Sequence, residues 1–166
     1  MCATAIANPN QSLCDLSITR IFNAPRELVF DAFSNPEHAK QWMGPRGFAA
    51  IYVEQDVRPG GKWRACLHQT DDRLGKKYPD LWQGGVFHEI VRPERVVYTF
   101  AWEGQGGQPT RETLITITFE ELCGGKTRMD FYQASFDSFE QRDGHDQGWN
   151  SSFDRLADYV RLFART

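Results

Sequence analysis

The feature that most constrains this chain is its last stretch, where Trp149, Phe153, Leu156, Val160 and Phe163 recur at steps of four, three, four and three residues. Residues three and four apart share one face of a helix, so this spacing draws a single apolar stripe. Asp143, Asp154, Arg155, Asp158, Arg161 and Arg165 fall mostly off the stripe. The pattern predicts a helix over Gln147 to Arg165, about five turns long, with one wet flank and one buried flank. A helix of this kind draws most of its stability from packing, so the rest of the chain must provide a broad apolar surface.

That surface is expected from strands. Leu13 to Phe22 reads as a first, imperfectly alternating strand that stops at Asn23-Ala24-Pro25, where Asn23 or Ala24 can cap a short helix over Arg26 to Phe33. Asn35-Pro36 repeats the device and opens a second short helix ending at Trp42, before the turn Met43-Gly44-Pro45-Arg46-Gly47. Further strands are expected over Phe48 to Val57, around Trp63, Ala65 and Leu67, over Trp82 to Val91, over Arg95 to Trp102, at Thr113 to Phe119 and at Thr127 to Gln133. Arg58-Pro59-Gly60-Gly61, Arg92-Pro93-Glu94 and Gly124-Gly125 separate them as turns. Strands joined by short turns favour an antiparallel sheet, because parallel neighbours need long crossovers. The fold class is therefore α+β, with one amphipathic helix closing a sheet.

At 166 residues the chain suits one domain, with residues 1–12 as a flexible N-terminal tail and 13–166 as the folded unit. Lys and Arg number 19 against 22 Asp and Glu, interspersed along the chain, which argues against nucleic acid as a partner. No window approaches 18 uninterrupted apolar residues, so membrane insertion is not expected. Cys2, Cys14, Cys66 and Cys123 form no CxxC pair and follow no signal peptide, and they read as reduced thiols of a cytoplasmic protein. Four scattered histidines offer no metal-ligand spacing, and the paired glycines lack the phosphate-binding fingerprint, so neither metal nor cofactor is expected.

Longer motifs carry a resemblance. Thr19-Arg20-Ile21-Phe22-Asn23-Ala24-Pro25-Arg26-Glu27-Leu28-Val29-Phe30, Asn35-Pro36-Glu37-His38, Gln41-Trp42-Met43-Gly44-Pro45 and Asp56-Val57-Arg58-Pro59-Gly60-Gly61-Lys62-Trp63-Arg64 resemble the Hsp90-ATPase-activator-homologue family. So do Gly85-Val86-Phe87-His88-Glu89-Ile90-Val91-Arg92-Pro93-Glu94-Arg95-Val96-Val97 and His145-Asp146-Gln147-Gly148-Trp149. That family lies within the START and Bet v 1-like (SRPBCC) superfamily. The resemblance spans about residues 13–164 and implies a helix-grip fold: a curved antiparallel sheet of about six or seven strands wrapped around a long C-terminal helix, with two short helices after the first strand. It also implies a hydrophobic cavity between sheet and helix. Many relatives carry Trp-Trp-Gly-Pro where this chain has Trp42-Met43-Gly44-Pro45, and the methionine makes that mouth softer.

The ligand-binding candidates follow from helix and sheet together. Trp149, Phe153, Leu156 and Val160 face the sheet as core, as ligand contacts, or as both at different depths. Phe30, Phe33, Trp42 and Phe48 close the space from the short-helix end, and Trp63, Phe87, Tyr98, Phe100, Phe119 and Phe131 line it from the sheet. His68 is a proton-transfer candidate if its strand phase turns it inward. His88 and Glu89 should occupy opposite strand faces, and an inward Glu89 needs a partner such as Arg64 or Arg128. His145, between Asp143 and Asp146, reads as a local cap or bridge just before the terminal helix, and Cys66 as an incidental thiol.

Three functions follow. The first is binding of a small apolar or aromatic molecule in the cavity. The second is a cyclase or dehydratase using His68 or Glu89 in the same cavity, and the third is a protein-interaction domain similar to the C-terminal domain of the Hsp90 co-chaperone. A homodimer and a chaperone are further partner expectations.

Overall fold

The computed structural model describes residues 14–164, and the expected tail over residues 1–12 lies outside the described residues. In chain order the elements are β1 (Leu16–Phe22), α1 (Arg26–Ser34), α2 (Pro36–Trp42), β2 (Phe48–Gln55), β3 (Lys62–Gln69), β4 (Leu81–Val91), β5 (Arg95–Trp102), β6 (Thr113–Leu122), β7 (Lys126–Ala134) and α3 (Phe139–Phe163). The strands form one seven-stranded sheet in the order β1-β7-β6-β5-β4-β3-β2, every neighbouring pair antiparallel. The sheet curls around α3 while α1 and α2 close one end, which is the helix-grip arrangement.

Local chemistry explains most boundaries. Asn35 Oδ1 accepts a hydrogen bond from the Glu37 amide at 3.0 Å and Pro36 occupies the first turn, as the sequence predicts for α2. The start of α1 differs: Pro25 itself is the N-cap, and no side-chain cap hydrogen bond forms there among the described residues. Larger is the difference at α3, which begins at Phe139, well upstream of the expected start at Gln147. Ser138 Oγ accepts from the Gln141 amide at 3.2 Å, and Gln141 Oε1 accepts from the Asp137 amide at 3.4 Å. This is a variant of the Ser-x-x-Gln cap in which the glutamine reaches back to the residue before the cap. Gly144 and Gly148 mask it in the sequence, since each costs about 1 kcal/mol in a helix interior, but the packed face of a 25-residue helix tolerates both.

Two irregularities on β4 shape the sheet. A β-carbon on Gly85 would lie 1.9 Å from the Thr99 carbonyl oxygen, so only glycine allows β4 and β5 to approach this closely. Two residues on, the register passes from Phe87↔Tyr98 to Glu89↔Val97, leaving His88 as the extra residue of a bulge.

The interior has two unlike halves. On the side of β1, β6, β7 and α1, the C-terminal half of α3 packs solidly. Phe153, Leu156, Val160, Ile115, Ile117 and Met129 are all wholly buried there. Each such side chain contributes roughly 1.5–3 kcal/mol relative to exposure. On the side of β2 to β4, the N-terminal half of α3 stands off from the sheet, and it meets β5 through His145 and Trp149.

Candidate functional site

Where α3 and the sheet part, they enclose a cavity of about 550 Å³. Its floor comes from the inward positions of β3, β4 and β5: Trp63 and Leu67, then Leu81, Gln83 and Phe87, then Val96, Tyr98, Phe100 and Trp102. Its roof is the α3 segment containing His145, Trp149 and Ser152, and its closed end is Phe30, Phe33 and Trp42 from α1 and α2.

The walls stay apart because the widest side chains are pinned. Trp42 Nε1 donates to the Ala32 carbonyl at 2.9 Å and Trp63 Nε1 to the Thr99 carbonyl at 3.0 Å. Trp149 Nε1 donates to Gln133 Oε1 at 2.8 Å, and Trp102 Nε1 to His145 Nε2 at 3.2 Å. A flat ring held at its N–H cannot rotate to fill the void without breaking that bond, so each indole acts as a rigid post. Edge-on contacts of Trp63 with Tyr98 and of Phe100 with Trp102, at centroid separations of 5.7 Å and 5.2 Å, tie the posts together.

The mouth lies between the α2–β2 turn, the β3–β4 connection and α3. Met43, Gly44, Pro45 and Arg46 form one lip, with Phe48 behind them, while Leu74 and Tyr78, 43% and 40% exposed, form the other. Gly47 joins the lips: it adopts φ +94°, and a β-carbon there would come within 2.9 Å of a Leu74 methyl. From α3, Arg155 Nη1 donates to the carbonyls of Met43, Gly44 and Phe48 at 3.3, 2.8 and 2.9 Å. One guanidinium therefore fixes the first lip to the roof.

The sequence candidates divide along the length of α3. Phe30, Phe33, Trp42, Phe48, Trp63, Phe87, Tyr98, Phe100 and Trp149 line the cavity. Phe119, Phe131, Phe153, Leu156 and Val160 face inward as expected but do not line it, because they lie in the solid half of the core. His68 points outward, its Nδ1 2.7 Å from Asp80 Oδ1, with half its side chain exposed. Glu89 pairs with Arg95 at 3.1 Å rather than with Arg64 or Arg128, and its side chain is 45% exposed. The bulge at His88 removes the rule that His88 and Glu89 must take opposite faces, and neither lines the cavity. Cys66 is buried under Tyr52 and Trp82, its partners on the neighbouring strands, and burial pushes its thiol up.

The side chain that periodicity misplaced is His145. It lies inside α3 and in the cavity roof, packed against Phe100, Trp102 and Phe136 with centroid separations of 5.3, 6.0 and 4.9 Å. Burial pushes its imidazole down to about 4, so it is neutral near pH 7. Nε2 accepts from the Trp102 indole, which leaves the proton on Nδ1. The Ser-x-x-Gln cap was the sequence signal that could have put His145 on the helix.

The remaining wall chemistry is uncharged. Gln83, Tyr98, Gln55 and Ser152 supply amide and hydroxyl groups, and burial raises the Tyr98 phenol. Arg46, at the lip, is the one formally charged side chain among the described lining residues, and it pairs with Asp158 at 3.1 Å. Among the described residues, no three His, Cys, Asp or Glu side chains converge as metal ligands, and no helix is long and apolar enough to cross a membrane.

Comparison with known proteins gives a family match. The sequence model of the activator of Hsp90 ATPase homolog 1-like protein matches residues 23–161. No curated protein sequence matches the chain. Among solved structures, a protein of Chromobacterium violaceum is 26% identical, with a TM-score of 0.74 over 88% of this chain and 96% of its own. The AHSA1 protein of Silicibacter pomeroyi is 23% identical, with a TM-score of 0.76 over 89% and 98%. A Staphylococcus aureus protein of unknown function is 23% identical, with a TM-score of 0.69 over 92% and 96%.

Proposed function

The chain belongs to the activator of Hsp90 ATPase homolog 1-like family, within the SRPBCC superfamily, and on that premise we propose that it binds a small hydrophobic or aromatic molecule between its sheet and α3. The observation that carries this reading is the cavity itself. At about 550 Å³ it lies within the range of small-molecule sites, its walls are mostly aromatic, and pinned indoles keep it from collapsing. Phe30, Phe33, Trp42, Phe48, Trp63, Phe87, Tyr98, Phe100 and Trp149 are the proposed contacts, and residues 13–166 the proposed single domain. Native mass spectrometry of freshly purified protein, before and after organic extraction, tests it. A retained mass of a few hundred daltons that extraction removes is expected, and a protein that neither carries nor takes up any apolar compound sinks the reading.

The cyclase or dehydratase alternative is favoured by one observation, the neutral imidazole of His145 in the cavity roof, rather than by His68 or Glu89, which lie outside. A third reading concerns partners. Both edge strands expose isoleucines, Ile21 on β1 at 61% and Ile51 on β2 at 56%, which favours self-association. The family description adds a chaperone to the proteins worth testing. Light scattering over a concentration series checks the first, and capture with purified Hsp90 the second. The free thiols of Cys66 and Cys123 fit a reducing, cytoplasmic setting.

A further inference from the structure

The cavity holds an unused recognition group. Gln83 lies on the inward face of β4, opposite Ala65 on β3 and Trp102 on β5, and is 4% exposed. Its carboxamide carries two donors and one acceptor, yet it forms no hydrogen bond to any described residue, and it faces the cavity. The other deeply buried glutamine behaves differently. Gln133 Nε2 donates to Thr113 Oγ1 at 2.8 Å, and its Oε1 accepts from the Trp149 indole at 2.8 Å. One glutamine is thus spent on holding α3 to the sheet, and the other is idle. Facing the void, this amide is left to water or to a bound polar group for its hydrogen bonds.

The same walls restrict the charge of what can enter. Beyond Arg46, which stands at the lip and is engaged by Asp158, no lining side chain among the described residues carries a formal charge. A carboxylate or ammonium group seated beside Gln83 would lose its water and gain no counter-ion. The Tyr98 hydroxyl, on the same floor, also lacks a hydrogen-bond partner among the described residues and offers a second neutral contact. Trp63, Phe87, Phe100, Trp102 and Trp149 surround these groups with flat faces and edges.

We propose that the cavity selects an uncharged aromatic molecule bearing a buried oxygen, and that Gln83 is the specificity-determining residue, donating a hydrogen bond to that oxygen. This rests on the reading of the cavity as a ligand site and adds the polarity and orientation of the ligand.

Three probes that share one ring system test it by isothermal titration: 2-acetylnaphthalene, 2-ethylnaphthalene and 2-naphthoate. The wild-type protein is expected to bind the ketone and to bind the carboxylate at least tenfold more weakly. Gln83→Leu should weaken the ketone about tenfold, the scale of one buried hydrogen bond, while leaving the hydrocarbon unchanged or tighter. Gln83→Met, closer in length to glutamine, gives the same comparison if the leucine variant does not fold. Equal effects on ketone and hydrocarbon, or a carboxylate that binds as well as the ketone, would overturn the assignment to Gln83 and the neutral class. Failure of all three probes to bind would overturn the aromatic class assigned here, whereas the cavity's role as a ligand site stands or falls with the extraction experiment.

Discussion

His145 shows how one residue joins stability to the site. Its half-buried ring packs among Phe100, Trp102 and Phe136, and its pKa of about 4 lies below the usual histidine value. The unfolded chain takes up a proton near pH 6.5 and the folded chain only near pH 4, so protonation favours unfolding within that window. Stability should therefore be unaffected by this group above pH 7 and fall as pH drops through 6.5, by on the order of 2 kcal/mol between pH 7 and pH 5. Urea unfolding at the two pH values checks this: His145→Phe should lose that share of the pH dependence, and an unchanged pH dependence would refute the argument. The sequence showed His145 only as an imidazole between two aspartates. Nothing in residues 143–146 states that the helix has already begun at Phe139, so the orientation of the side chain was not legible there.

At the scale of elements, the closest link between fold and site is the clamp from α3 to the α2–β2 turn. Arg155 satisfies three carbonyls of the lip, and Arg46 adds its amide to Ser151 Oγ at 2.9 Å. Arg155→Ala should free those carbonyls and lower stability by roughly 2 kcal/mol. Its distinguishing effect is local: hydrogen exchange over residues 43–49 should accelerate more than exchange in β6 and β7, and a uniform change across the molecule would contradict the clamp. Arg155 was legible in the sequence only as a polar residue off the apolar stripe. Carbonyl partners more than a hundred positions away leave no periodic trace, whereas the Asn35-Pro36 cap, whose chemistry is complete within three residues, was read as it stands.

Taken whole, the molecule is a helix gripped unevenly, solid toward the C-terminal half of α3 and hollow toward its N-terminal half. The two halves should answer truncation differently. Phe153→Ala, in the solid half against Phe33, Trp42, Phe131 and Trp149, should cost about 3–5 kcal/mol because the cavity it leaves cannot relax. Phe48→Ala, which enlarges a void already present, should cost roughly half as much. Chemical denaturation of both variants distinguishes a hollow half from a uniformly packed core, which would make the two losses equal. By itself the sequence determined the elements, their order, the inward faces of the helix and of most strands, and, through its longer motifs, the family. These depend on periods of 2 and 3.6 residues and on caps and turns that are complete within a few positions. Only the tertiary structure decided depth. Periodicity records which way a side chain points and carries no measure of how far away the opposing surface lies. Trp149 and Phe153 share one stripe, yet one borders the cavity and the other is sealed in the core. The same distance between sheet and helix leaves Gln83 buried without a hydrogen bond to any described residue, and puts the imidazole of His145 in the cavity roof.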